Sequence, residues 1–240
     1  MNETWIQRPL LGFDTETTGV DVTGDRIVTA ALVLRTPGTG TEVRTWLMDP
    51  GVEIPEEAAA IHGISTEHAR AHGVAPLEAL EEIAAALAEQ LAEGVPVVAY
   101  NAAFDLSLLD AELQRHGLKT LPQRLGRAVE PVVDPLVIDR WLDRYRPGKR
   151  RLGDLSQWYG VTSDGDLHTA EVDVLATLDV LEALARRFPQ LERMSLGDLH
   201  QQQIGAHRQW AVSFNAWRRE QGLTGPDASG AWPVQHASGG

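Results

Sequence analysis

Cysteine is absent from the 240 residues, which removes disulfides, thiolate nucleophiles and thiolate zinc sites together. Any metal must be held by oxygen or imidazole. Basic residues are scarce: 21 Lys and Arg stand against 34 Asp and Glu, a formal net charge of −13. Proteins that coat nucleic acid by neutralising phosphates carry broad positive surfaces. The balance excludes that class and leaves room for an enzyme that grips one chain end. No run approaches the roughly 18 apolar residues of a membrane span, and the start Met1-Asn2-Glu3-Thr4-Trp5 lacks the basic flank and apolar stretch of an export signal. A cytoplasmic protein with no membrane partner is predicted. Gly38 and Gly40 lack the third glycine of a dinucleotide fingerprint, Gly148-Lys149 lacks the upstream glycine of a phosphate loop, and no Gly-x-Ser-x-Gly elbow occurs. No nucleotide cofactor is expected.

What is present suits a globular enzyme. The hydrophobic fraction of 43% is enough to bury a core, and the length predicts one catalytic-size domain over residues 1–194 followed by a tail over 195–240. From Ser195 onward three basic and three acidic residues cancel, so the whole excess of acid lies before it.

Leu10 to Thr15, Arg26 to Arg35 and Glu42 to Leu47 read as strands, the last two joined as a hairpin by a Pro/Gly/Thr turn. The period then changes. Leu77, Leu80, Ile83, Ala84, Leu87 and Leu91 recur at three and four, predicting an amphipathic helix from Pro76 to Ala92. A buried strand follows at Pro96 to Tyr100, then a helix at Ala103 to His116 and a brief strand at Pro131 to Asp134. Further helices are expected at Pro135 to Tyr145, capped by Asp134, at Arg151 to Tyr159 and at Thr169 to Phe188. The order implies an α/β domain with a mixed sheet flanked by helices.

Asp14 and Glu16 sit two apart on the first strand, so their carboxylates share a face while Thr15 points to the other. Asp105 falls in the first turn of a helix at the carboxyl end of a strand, where open α/β sheets place their sites. Asp173 shares the apolar face of Ala170, Ala176 and Val180, and a carboxylate on such a face needs a partner. His168 stands just before that helix, in a loop. Four carboxylates and one histidine suit two hard divalent cations, magnesium or manganese, which can stabilise the attacking and leaving oxygens of a phosphoryl displacement while the imidazole accepts the proton of water.

Taken together, Gly12-Phe13-Asp14-Thr15-Glu16-Thr17-Thr18-Gly19, Asn101-Ala102-Ala103-Phe104-Asp105 and His168 followed five residues later by Asp173 resemble the three motifs of the DnaQ-like, DEDDh-type 3′-to-5′ exonucleases, the family of the proofreading epsilon subunit. The match runs over roughly residues 10 to 188. The resemblance implies a ribonuclease-H-like fold and stepwise release of nucleoside 5′-monophosphates from a single-stranded or frayed 3′ end. Asp14, Glu16, Asp105 and Asp173 would hold the two metals and His168 would be the general base. Ile61-His62-Gly63-Ile64 resembles the segment that packs on the terminal base. Thr15 or Thr17 is expected to hold that nucleotide, with Asn101 beside it and Ile61, His62 and Phe104 as walls. Tyr100, where a histidine is common, and Arg151-Leu152-Gly153 depart from the family pattern outside the metal ligands.

His68 and His72 have the spacing of a zinc pair without a third ligand, and read as solvated. Arg140, Arg144, Arg146, Lys149, Arg150 and Arg151 form the one basic cluster, either a solvated face or a phosphate-guiding rim. In the tail, Leu199 to Gln221 predicts a helix of about six turns. Trp210, Phe214 and Trp217 lie on one stripe of it, expected to pack on the catalytic domain with Trp232-Pro233-Val234 pinned beyond. Gln209 to Phe214 loosely resembles the peptide by which bacterial proteins bind the sliding clamp. Three readings follow: a free-standing metal-dependent exonuclease with DNA favoured over RNA, a proofreading or repair subunit docking on a polymerase or sliding clamp through its tail, and a non-catalytic nucleic-acid-binding relative.

Overall fold

A computed structural model describes residues 4–162 and 169–235. β1 (Leu10–Thr17), β2 (Ile27–Thr36) and β3 (Gly40–Leu47) form an antiparallel meander in which Asp14 faces Ala31 and Val33 faces Val43 across the ladders. Helices α1 (Glu56–His62), α2 (Thr66–His72) and α3 (Pro76–Ala92) follow. Strand β4 (Val97–Val98) pairs parallel to β1, and after α4 (Ala102–Arg115) and α5 (Leu121–Leu125), strand β5 (Val132–Val133) pairs parallel to β4. The chain continues through α6 (Pro135–Leu142), α7 (Leu152–Tyr159), α8 (Ala170–Arg187), α9 (Gln190–Arg193) and α10 (Leu196–Glu220). The sheet order β3-β2-β1-β4-β5 is mixed, as the alternation of strands and helices predicts.

Strand alternation divides the core. Leu11 and Phe13 of β1 pack with Leu80, Ile83 and Leu87 of α3 and Leu106 and Leu109 of α4. Each such fully buried aliphatic side chain contributes about 1.5–3 kcal/mol. On the opposite face Gly12 has no side chain, because α8 lies directly on it: a Cβ there would stand 2.2 Å from Cγ1 of Val174. A small residue at position 12 is therefore what lets α8 settle against the central strand, two residues before Asp14.

The boundaries differ from expectation in instructive ways. The helix capped by Asp134 stops at Leu142 rather than Tyr145, because Arg150 takes the carbonyls of Asp143 and Arg144 at 2.8 and 3.1 Å. Strands β4 and β5 are two residues each, their neighbours bending into site loops. α1, α2, α5 and α9 carry no strong apolar period of their own and were not anticipated.

The tail helix is where periodicity misled. Its buried residues are Leu199, His200, Gln203, His207, Ala211 and Asn215, a largely polar face, while Trp210 and Phe214 are half-buried and Trp217 is 49% exposed. The reason is the edge strand. β5 has no further strand beside it, and α10 supplies the missing partners: the Val132 amide donates to Nδ1 of His200 at 3.1 Å, Nε2 of Gln203 donates to the Val132 carbonyl at 3.0 Å, and the Asp134 amide donates to Oε1 of Gln203 at 2.7 Å. Beyond the helix, Trp232 and Val234 are buried in the cluster of α3 and α4, as expected of that segment.

Candidate active site

Asp14 and Glu16 leave β1 on the face covered by α8, and Asp173 comes down from the first turn of α8 to meet them. One carboxylate oxygen from each of the three lies within 4.8 Å of the other two. Asp105 falls outside that set. It sits in the first turn of α4, buried on the other side of the strand, where the amide and the hydroxyl of Thr15 donate to its Oδ1 at 3.1 and 2.7 Å.

The loop before Asp105 is held in an uncommon conformation. Asn101 has φ 60° and ψ 44°, the one non-glycine residue with positive φ among those described, and such strain gathers at functional sites. Asp134 maintains it. Its carboxylate accepts from the amides of Asn101 at 3.1 Å and Ala102 at 2.9 Å while also capping its own helix at the amide of Leu136, 2.9 Å away. The predicted cap thus ties two helix starts together, a role with no sequence signal.

Electrostatics show what this arrangement costs. Asp14 is raised well above the ordinary carboxylate range, first by burial and then by Asp105, Asp173 and Glu16. Burial, then Asp173 and Asp105, push Glu16 up to about 7. Asp105 is also pushed up to about 7 by burial, against the Thr15 hydroxyl bond that lowers it. Crowded carboxylates that resist ionising fit a hard divalent cation, whose charge would offset both burial and repulsion. The donors are all oxygen, as a chain without cysteine requires. His168 lies outside the described residues.

Of the residues expected to hold substrate, His62, Asn101 and Phe104 line two separate cavities, and Ile61, Thr15 and Thr17 line neither. Glu16, Trp46, Leu47, His62, Ile64 and Thr169 line one of about 290 Å³. His62 is buried, accepts from the Ile64 amide at 3.2 Å, and is held toward its neutral form by burial; Ile61 is 59% exposed. Asn101 and Phe104 instead line a second cavity of about 620 Å³, with His207 and Trp210 of the tail helix. Thr15 is buried with its hydroxyl given to Asp105, so of the two threonines only Thr17 remains near the surface, its hydroxyl donating to the Gly19 carbonyl at 2.6 Å. Trp46 and Trp210 were missed as wall residues, since a tryptophan in a strand or helix gives no hint of the cavity it borders. His68 and His72 lie with their rings 4.7 Å apart and tilted by 47° in solvent, with no third ligand among the described residues.

A mixed sheet with acidic side chains gathered at the end of its central strand is the architecture of a ribonuclease-H-like nuclease. Comparison with known proteins makes this specific. The exonuclease family model RNase_T matches residues 11–181. A DNA polymerase III subunit epsilon-like protein of Rhodobacter capsulatus is 34% identical over 195 residues, 77% of this chain and 24% of the relative. DNA polymerase III PolC-type of Streptococcus thermophilus is 32% identical over 167 residues, 69% of this chain and 10% of the relative. E. coli exonuclease I in complex with a dT13 oligonucleotide has a TM-score of 0.64 at 22% identity, covering 77% of this chain and 42% of that one. Exonuclease I from Methylocaldum szegediense has a TM-score of 0.61 at 25% identity with the same coverage. The chain therefore spans a quarter or less of those two polymerase relatives and under half of either exonuclease I. It belongs to the DnaQ-like exonuclease family.

Proposed function

We propose that this chain is a metal-dependent 3′-to-5′ exonuclease that releases nucleoside 5′-monophosphates from single-stranded or frayed ends, DNA in preference to RNA. The observation that carries the reading is the set of three carboxylates within 4.8 Å at the end of β1, with Asp105 electrostatically in contact with Asp14 beside it. Asp14, Glu16, Asp105 and Asp173 would hold two magnesium or manganese ions. When bound, these would stabilise charge on the attacking and leaving oxygens of the phosphodiester. The chain's own groups do the rest. His168 accepts the proton of the attacking water, Thr15 and Asp134 keep Asp105 and its loop in place, and Ile61, His62, Thr17, Asn101 and Phe104 contact the terminal nucleotides. Stacking on such walls requires an unpaired base, which favours frayed ends. Residues 1–194 carry the exonuclease chemistry and 195–240 fold onto them, α10 against β5 and Trp232 and Val234 in the core of α3 and α4, and the enzyme works in the cytoplasm on nucleic acid. The preference for DNA rests on relatives named as DNA polymerase III proteins and on a fold neighbour solved with dT13.

A second reading, a proofreading or repair subunit, is favoured by the relative named epsilon-like and by the exposed tail residues Val212 and Trp217. A clamp-binding role for Gln209 to Phe214 is not favoured, because the segment lies within α10 and such peptides bind extended. Incubating 3′- and 5′-labelled single-stranded DNA and RNA with magnesium, manganese or chelator tests the proposal. Stepwise mononucleotide release from the 3′ end, lost in Asp14→Asn and in chelator, is expected. Release from the 5′ end, or activity surviving in Asp14→Asn, overturns it, and no hydrolysis with retained binding would leave the non-catalytic relative.

A further inference from the structure

In a chain of net charge −13, one groove is lined by guanidinium groups. Of the basic cluster after the second motif, Arg146 and Arg150 are structural. Both bind the buried carboxylate of Asp139, which also accepts from the Tyr159 hydroxyl at 2.7 Å. Arg140 and Arg144 are different: among the described residues neither has a carboxylate within 4.0 Å. The Arg140 guanidinium lies 3.7 Å from the ring centre of Trp210 instead.

Trp210 begins an aromatic ladder on the tail helix. It stacks on Phe214 at 5.2 Å and 16°, and Phe214 stacks on Trp217 at 5.8 Å and 25°. Trp210 and Phe214, with Arg140, Arg144, Arg150 and Trp141, line a groove of about 490 Å³. Trp210 is also a wall of the cavity that holds Asn101 and Phe104, so the two spaces meet at its ring. Phe104 adjoins Asp105 in sequence. Of the acids on that second cavity, Asp227 is paired with Arg219 at 3.0 Å, and Asp21 is turned to the amide and hydroxyl of Thr23 at 2.9 and 2.8 Å.

Asp134 attracts Arg140 from beyond ion-pair distance, and Arg144 is exposed. Guanidiniums without a direct ion pair, interleaved with aromatic faces, are the surface that grips a single strand, phosphates on the charges and bases on the rings. An acidic peptide would meet the same arginines, but it would have no use for the continuation past Trp210 to Asn101 and Phe104, the loop and helix start that carry Asp105. We propose that the nucleotides upstream of the cleaved bond run from Asn101 and Phe104 across Trp210 into the groove of Arg140 and Arg144. The ligand is single-stranded nucleic acid, and the tail helix supplies one wall of its path. The assignment rests on the exonuclease reading for its direction.

The test compares kcat/KM on oligothymidylates of about three and about twelve nucleotides, the longer near the span that single-strand sites cover. The wild-type chain should favour the longer oligomer about ten-fold or more. Arg144→Glu, a change at an exposed side chain, and Trp210→Ala should each bring the ratio near one. Arg144→Glu should also flatten the salt dependence of binding, whose slope scales with the number of phosphates the protein neutralises. An unchanged ratio in both variants overturns the groove while leaving the exonuclease intact. If the wild type hydrolyses neither oligomer, the exonuclease reading falls instead, and anisotropy of the labelled longer oligomer in chelator then judges the groove: weaker binding by Arg144→Glu supports it, equal binding overturns it.

Discussion

Thr15 gives both its amide and its hydroxyl to a single oxygen of Asp105, at 3.1 and 2.7 Å, so the strand that carries Asp14 and Glu16 on one face anchors a further carboxylate from the other. Thr15→Val keeps the shape and the amide but removes the hydroxyl. Groups that orient metal ligands are typically worth about 10- to 100-fold in metal affinity or activity. The magnesium concentration giving half-maximal exonuclease activity should rise by about ten-fold in the variant. An unchanged metal titration would show that Asp105 needs no such hold.

The crowded carboxylates make stability depend on pH and, if they hold the proposed ions, on metal as well. Glu16 and Asp105 are pushed up to about 7, whereas in the unfolded chain they titrate in the ordinary carboxylate range. A raised folded pKa contributes stability that is full below the unfolded value and lost as pH rises through the folded one. In chelator, Glu16→Gln should match the wild type in melting temperature near pH 4 and melt higher by pH 8. Manganese or magnesium should raise the wild-type melting temperature more at pH 8 than at pH 5. A gap that does not open with pH would remove the argument for a cation site built on repulsion.

Gln203 is fully buried and completes the hydrogen bonding of β5. Gln203→Leu should leave the Asp134 amide and the Val132 carbonyl without partners, a loss of about 1–3 kcal/mol for each buried group. Urea unfolding should show a lower midpoint. Because Asp134 also holds the Asn101 loop, exonuclease activity should fall in the folded variant as well. Wild-type stability in Gln203→Leu would mean that α10 is not what satisfies the edge.

As the proposed general base, His168 should matter to the chemical step and little to binding. His168→Ala is expected to slow single-turnover cleavage by about 10²- to 10⁴-fold, with single-strand affinity measured in calcium nearly unchanged. Loss of affinity with normal cleavage of bound substrate would reassign it to binding.

The amino-acid sequence by itself determined the parts of this protein that depend on local order. Asp14 and Glu16 share a face because a strand alternates, and Asp173 lies on the inward face of its helix because a helix repeats every 3.6 residues; that this face meets the two acids is decided by the seating of α8 on Gly12. α3 was legible to the residue because Leu80, Ile83, Leu87 and Leu91 form one apolar stripe that enters a single core cluster with β1, α4 and α5. What only the tertiary structure decided are the relations set by hydrogen-bond demand rather than by hydrophobic period. The exposed edge of β5 called for donors and acceptors, so α10 turned His200 and Gln203 inward and left its aromatic stripe half in water, with Trp210 over Arg140 of α6 rather than in the core that apolar patterning predicts. Asp134 likewise reads as one helix cap and serves two, because β4 and β5 run side by side and bring the Asn101 amide within its reach. A backbone group that must be satisfied names no partner in the sequence. Only packing brings that partner to it.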